Sequence, residues 1–449
     1  LTDQLYGGDQ RYRLCQEMVL GLGGAEFLRA AGHNHISIYH MNEGHSALLV
    51  LGLLEEDSSG KAPETVTIAE RQSLRRRCVF TTHTPVPAGH DQFPEDLVRR
   101  VVGEPAASDL LACDTCADGV LNLTGLALTF SHYVNGVAMR HGEVSRDMFP
   151  GYPINSITNG VHAATWAGDA FRDLYDRHFP EWRRDNLYLR YAISLDPAEI
   201  LAAHAVCKQS LMAEVERRTG VRMDPNALTL GFARRAAPYK RADLLFSDLE
   251  RLRRIARTVG PLQVVFAGKA HPHDEGGKAM IRGVFDASAA LKTDVKIVYL
   301  EEYDMALARL LCAGADVWLN TPLKPQEASG TSGMKAAVNG VPSLSILDGW
   351  WVEGCFEGLT GWAIGEDGGK PSDPAREATS LYEKLEYVVA PLFYTRRFAF
   401  AEVMRSTIAL NASYYNAQRM LMQYLCNAYA TCAELAPGGP APSSVEIRT

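Results

Sequence analysis

Between residues 228 and 347, short apolar runs alternate with helical patterns, and this alternation admits few folds. Residues 228–234, 262–267, 295–300, 317–320 and 343–347 read as strands. Residues 242–258, 278–291, 304–312 and 331–338 read as helices. Continuous apolar strands separated by helices predict a parallel sheet covered on both faces. Ligands of such sheets bind beyond the carboxyl ends of the strands, so the residues just after each strand are the candidates for chemistry.

The earlier part follows the same pattern less completely. Residues 37–39 and 78–82 read as strands, and 10–28, 43–54 and 68–75 as helices. This resembles the end of an α/β domain that lacks its opening strands, with a crossover near residues 155–166. The 449 residues are too many for one compact core, so two domains are expected. The start, Leu1-Thr2-Asp3-Gln4, reads as lying inside a longer protein, and residues 437–449 as a loose tail.

The formal charge of −8 argues against a general nucleic-acid binder. No long uncharged apolar run suggests a membrane span. Nine scattered cysteines suit reduced thiols in a cytoplasmic enzyme. Cys113 and Cys116 form a CxxC pair, read as a loop with two thiols because no second ligand pair accompanies it. Asn122-Leu123-Thr124 and Asn411-Ala412-Ser413 match a glycosylation sequon, read as chance.

After the strand ending near Ala233 come Arg234, Arg235, Lys240 and Arg241. Cations at this end of a parallel sheet can clamp phosphate. Surface charge is the ordinary alternative, and position leaves both open. The run Glu327-Ala328-Ser329-Gly330-Thr331-Ser332-Gly333-Met334-Lys335 follows another strand and opens a helix. Its glycines let backbone approach a ligand, and N–H groups at a helix start favour an anion. Lys335 could pair with phosphate, carry a Schiff base, or face water. Trp350 and Trp351, after the next strand, suit sugar stacking or packing between domains. His83 and the run Asn42-Glu43-Gly44-His45 follow strands in the first part and could bind a polyhydroxylated ligand, though lone histidines are more often structural. Gly21-Leu22-Gly23-Gly24 reads as helix interior rather than a phosphate loop.

Taken in order, the motifs EASGTSGMKAAVNG, RRAAPYKR, FTTHTPVPAGHD, YHMNEGHSA, NGVAMRHGEVS, SITNGVHAATW and VVFAGKAHPHD resemble the α-glucan (glycogen, starch, maltodextrin) phosphorylases, particularly their compact bacterial and archaeal type. The resemblance runs from about residue 1 to 365. It implies a GT-B fold of two Rossmann-like domains across a cleft: residues 1–158 as the later part of the N-terminal domain, and 159–436 as the cofactor and phosphate domain with closing helices. It implies phosphorolysis of α-1,4-glucan with inorganic phosphate to glucose 1-phosphate, with the phosphate of pyridoxal phosphate shuttling a proton. Lys335 would carry the cofactor as a Schiff base. Arg234 would contact the cofactor phosphate, where many relatives have Lys, with Gly330 and Thr331 in the cradle. Arg235 and Lys240 would hold the substrate phosphate, and Tyr239 and Tyr303 would line the cofactor and phosphate region. Glu327, His83 and Asn159 would hydrogen-bond the glucosyl unit, near Glu43 and His45. Relatives are commonly dimers. No counterpart of the family's N-terminal glycine-rich loop is found.

Two other readings share these features. A nucleotide-sugar glycogen or starch synthase would use the same fold and a basic cleft, but needs no Schiff-base lysine. A truncated glucan-binding remnant would keep the fold without catalysis.

Overall fold

In the computed structural model, which describes Leu1 and residues 8–58, 68–104, 106–111, 116–270, 274–366 and 371–430, the chain divides into two units. The first is Leu1–Ile157 with a segment that begins at Met422; the second is Thr158–Leu421.

The first unit holds β1 (Tyr39–Asn42), β2 (Cys78–Thr81), β3 (Gln92–Pro94), β4 (Cys116–Ala117), β5 (Val120–Asn122), β6 (Tyr133–Gly136) and β7 (Ile154–Ser156). Strands β1, β2, β6 and β7 form a parallel sheet in that order, and β3, β5 and β4 a small antiparallel one. Met41, Phe80, Val134 and Ile154 bury the parallel sheet in the core of this unit. Strand β1 lies later than expected, because the polar Asn42 still pairs in register with Thr81. The expected helix 10–28 is broken at Gly21 into Gln10–Leu20 and Leu22–Ala30. A Cβ on Gly21 would stand 2.6 Å from the Leu49 backbone nitrogen, so the corner needs glycine there. The expected helix 43–54 starts only at Leu49, because Gly44–Ser46 forms a 3₁₀ turn capped by the Glu43 side chain.

The segment after Met422 joins this unit through tyrosine hydroxyls. Asn135 Nδ2 donates to the Tyr424 hydroxyl at 3.0 Å, and that hydroxyl is 3.1 Å from Thr81 Oγ1. The His40 ring lies between Thr81 Oγ1 and the Tyr429 hydroxyl, 2.7 Å from each. This differs from the single run 159–436 expected for the second domain. Hydroxyls reaching a distant sheet leave no mark on apolar periodicity. The tail 437–449 lies outside the described residues.

The second unit holds β8 (Leu228–Ala233), β9 (Leu262–Ala267), β10 (Val295–Leu300), β11 (Val317–Asn320), β12 (Ser343–Ile346) and β13 (Gly361–Ile364). All pairings are parallel, in the order β10-β9-β8-β11-β12-β13. This doubly wound order reverses direction between β8 and β11, and the crevice beyond that point is where such sheets bind ligands. Every residue of β8 and β9 is buried, as continuous apolar strands in a sheet interior must be. The expected helix 242–258 is interrupted: Asp248 accepts from Arg251 N at 2.8 Å and starts a separate helix, Leu249–Thr258.

Below the sheet a charged triad is sealed in the core. Asp316 lies 2.6 Å from Lys208 Nζ and 2.9 Å from His204 Nε2, and it accepts from Thr229 N at 2.8 Å. Burial alone would raise the Asp316 pKa, but Lys208 and His204 outweigh it and hold the carboxyl at about 2. No helix among the described residues is long and apolar enough to cross a membrane.

Candidate active site

The site grows from three strand exits. After β8, Arg234 N donates to Ala267 O at 3.1 Å and Ala236 N to Lys269 O at 3.0 Å, so this run is threaded beside the exit of β9. Gly268 makes room for it, since a Cβ there would stand 2.1 Å from Arg234 O. Beyond β11 the chain reaches Glu327, whose backbone N–H donates to Asp348 Oδ2 at 2.9 Å, just after β12. Gly349, at φ +56°, closes this corner: a Cβ would meet Ser329 O at 2.5 Å and Glu327 O at 2.9 Å.

Here the structure gathers Arg234, Tyr239, Lys240, Glu327 and Gly330. Lys240 Nζ donates to the two carboxylate oxygens of Glu327 at 2.7 and 2.8 Å. The Arg234 guanidinium donates to the same carboxylate and to the Asn320 side-chain oxygen. Lys240 Nζ also lies 4.4 Å from the Tyr239 ring centroid, and a Cβ on Gly330 would stand 3.3 Å from Glu327 Cγ. Burial would raise the Glu327 pKa, but Arg234 and Lys240 hold it below the usual carboxylate value. Burial, reinforced by Arg234, pushes Lys240 down to about 7, and Glu327 offsets only part of this. Arg235 is exposed, with its side chain hydrogen-bonded to Tyr239. Burial raises the phenols of Tyr239 and Tyr303, and Arg234 opposes the shift in both.

Lys335 sits on the helix Thr331–Ala337, which leaves Gly330 at φ +83° and starts at the half-buried Thr331. Its Nζ stands 4.1 Å from the centroid of the Trp166 ring. Burial lowers its pKa, with Cys312 as an opposing neighbour. Sequence reading missed Trp166, although it ends a quoted motif, because nothing local ties it to a lysine so far along the chain. Trp350 and Trp351 are 2% and 1% exposed and pack on each other, and Trp350 also packs on Tyr415, so they are core rather than sugar platforms.

In the first unit, Glu43 adopts φ +69°, rare for a residue with a side chain, and such backbone gathers at functional sites. Its carboxylate accepts from Gly44 N at 3.1 Å, His83 N at 2.6 Å and Thr84 Oγ1 at 2.9 Å. Glu43 therefore fixes the β2 exit that carries His83. His83 Nε2 donates to Asn42 Oδ1 at 2.5 Å, and burial lowers its pKa. His45 contacts Arg13 and Asp91. Asn159, in the second unit, is half-buried, and its carbonyl accepts from Arg419 at 2.9 Å. Cys113 lies outside the described residues. Both sequon asparagines are engaged by the protein: Asn122 caps a helix through Gly125 N, and Asn411 is buried.

Residues 90–357 match the model of a family described as carbohydrate phosphorylase. The chain belongs to the carbohydrate phosphorylase family. A maltodextrin phosphorylase of Thermococcus litoralis is 38% identical over 96% of this chain and 55% of its own length. A glycogen phosphorylase of Mycobacterium tuberculosis is 36% identical over 97% of this chain and 56% of its own. A glycogen phosphorylase of Aquifex aeolicus is 33% identical over 96% of this chain and 68% of its own. The chain thus spans little more than half the length of the first two relatives. The family match covers the run from Arg234 to Lys335 and includes Trp166.

Proposed function

We propose that this chain supplies the phosphate half and part of the sugar half of a GT-B enzyme that cleaves α-1,4-glucan with inorganic phosphate, giving glucose 1-phosphate. One observation carries the reading: at the switch point of the second sheet, Arg234 and Lys240 close on one buried carboxylate, and the helix that follows Gly330 carries a half-buried lysine of lowered basicity. Two cations converging at a strand exit suit a phosphate dianion. The relatives' names, maltodextrin and glycogen phosphorylase, support the glucan as substrate.

The residues fit pyridoxal phosphate. A lysine amine must be neutral to condense with an aldehyde, and the burial of Lys335 favours that form. Arg234 Nε and Ser329 Oγ are buried without a hydrogen-bond partner among the described residues, as groups reserved for an anion would be. Bound there, the cofactor would supply a phosphate able to exchange a proton with the substrate phosphate.

The chain's own residues do the rest. Arg234, Arg235 and Lys240 orient phosphate and stabilise its charge. As phosphate draws Arg234 and Lys240, Glu327 is released to accept hydrogen bonds from glucosyl hydroxyls. Asn159, His83 and His45 hydrogen-bond the sugar, with Glu43 holding His83 in place. Exclusion of water would favour phosphorolysis over hydrolysis.

The test uses the full-length protein and its Lys335→Ala variant. The parent should take up one pyridoxal per chain, with a visible absorbance band that borohydride removes, and release glucose 1-phosphate from glucan. Lys335→Ala should take up none. Stoichiometric Schiff base in that variant overturns the assignment.

A further inference from the structure

Trp166 ends the motif SITNGVHAATW, and Asn339 is the last residue but one of EASGTSGMKAAVNG. Neither has a part in the proposed reaction. Asn339 follows the helix Thr331–Ala337 that carries Lys335, and it is buried. Trp166 ends the short helix Ala163–Trp166 and is half-buried.

The Asn339 side chain meets one backbone N–H and two carbonyls. Gly168 N donates to Asn339 Oδ1 at 2.6 Å. Asn339 Nδ2 donates to Trp166 O at 2.9 Å and to Lys335 O at 3.2 Å. An N–H must face the amide oxygen, and carbonyls must face the amide nitrogen. The partners therefore fix which way this amide points. An aspartate carboxylate would offer the two carbonyls no donor, and a leucine would leave all three groups without this partner.

These bonds join parts of the chain as far as 173 residues apart. One partner is the carbonyl of Lys335 itself. The other two bracket Ala167, in the turn that leads to the helix Asp169–His178. Gly168 lets this turn come close, since a Cβ there would stand 2.9 Å from Cys207 Sγ and 3.0 Å from Ala313 Cβ. The Tyr175 hydroxyl, on that next helix, donates to Val338 O at 2.6 Å and adds a second tie to the end of the Lys335 helix. With its carbonyl held in this way, Trp166 lays its ring over Lys335 Nζ, 4.1 Å from the centroid. An aromatic face at that distance attracts an ammonium group. Buried hydrogen bonds are costly to break, so the ring has little freedom to leave the amine.

We propose that Asn339 is a positioning residue that fixes Trp166 as a shield on one face of the Lys335 amine, leaving the other face for an aldehyde to approach. This rests on the reading of Lys335 as the cofactor lysine. The shield slows water and small reagents that would reach the nitrogen from the tryptophan side. It therefore also slows the loss of a pyridoxal once bound.

The test begins on full-length protein stripped of cofactor. Lys335 is methylated with formaldehyde and cyanoborohydride at neutral pH, and its labelling is timed by peptide mass spectrometry. Trp166→Leu should speed labelling about three- to tenfold, and Trp166→Phe, which keeps a ring, clearly less. Asn339→Ala should match Trp166→Leu. In the Trp166→Leu background it should add little, because it acts through the ring. In protein loaded with pyridoxal phosphate, hydroxylamine should release the pyridoxal about three- to tenfold faster from either variant than from the parent. A Trp166→Leu labelling rate equal to the parent's overturns the shield, and this variant decides the matter even where Asn339→Ala does not fold. An Asn339→Ala effect that persists undiminished beside Trp166→Leu shows a structural role alone and overturns the positioning. If labelling behaves as expected but Lys335→Ala still forms a stoichiometric Schiff base, the cofactor assignment falls and the shield over Lys335 stands.

Discussion

Lys240 and Glu327 set each other's charge. A buried lysine at about 7 is a cation only in the lower part of the physiological range, and it loses its charge as pH rises through that value. Glu327 is the main influence that raises it. Glu327→Gln should therefore move the alkaline limit of phosphate binding to lower pH, by about one unit. Calorimetric titration of phosphate from pH 5.5 to 8.5 checks this, and coincident profiles for variant and parent would refute the coupling. Sequence reading reached Arg234 and Lys240 because cations at a strand exit are locally visible. It named Glu327 as a sugar contact but not as the carboxylate those two cations share, because 87 residues separate Lys240 from Glu327 and only the sheet order brings them together.

At the scale of elements, turns and buried charges carry more than their length suggests. Gly349 combines a left-handed φ with backbone oxygens crowding its absent Cβ, whereas Gly358, at φ +73°, has open space around it. Gly358→Ala should cost only the strain of its φ, about 1 kcal/mol, and Gly349→Ala clearly more, about 3 kcal/mol. Denaturant midpoints decide, and equal losses would show that the Ser329 contact does not matter. Asp316→Asn leaves the buried Lys208 without its counter-charge, at a cost of about 3–5 kcal/mol. In the parent, the stability Asp316 contributes is present above its unfolded pKa and is lost as pH falls through about 2. Acid unfolding followed between pH 5 and 1.5 should therefore show an acid-dependent step in the parent that Asp316→Asn lacks. Strands β9, β10 and β11 were legible as apolar runs of the right length. Strand β13 was not, because Gly361 enters it at φ +147° against Ser343 O, where a Cβ would stand 2.2 Å away, and a glycine start reads as a turn. The split at Asp248 was also hidden, because a capping aspartate inside a long amphipathic stretch looks like its polar face.

For the whole molecule, the division into units depends on polar contacts that sequence periodicity cannot show. Thr81 and Asn135 are buried, and both rely on the Tyr424 hydroxyl. Tyr424→Phe should destabilise the first unit by about 1–3 kcal/mol, because buried polar groups lose a partner. Scanning calorimetry should show that unit's transition lowered and the second unit's unchanged. A shift in the second transition alone would contradict the assignment of this segment. The same discontinuity has a consequence during synthesis. The sheet of β1, β2 and β6 leaves the ribosome early, but the tyrosines that meet His40, Thr81 and Asn135 come after residue 421. At roughly 5–20 residues per second, the nascent first unit waits tens of seconds while the whole second unit is translated. In the growing chain, the half that is made first is the half that finishes last.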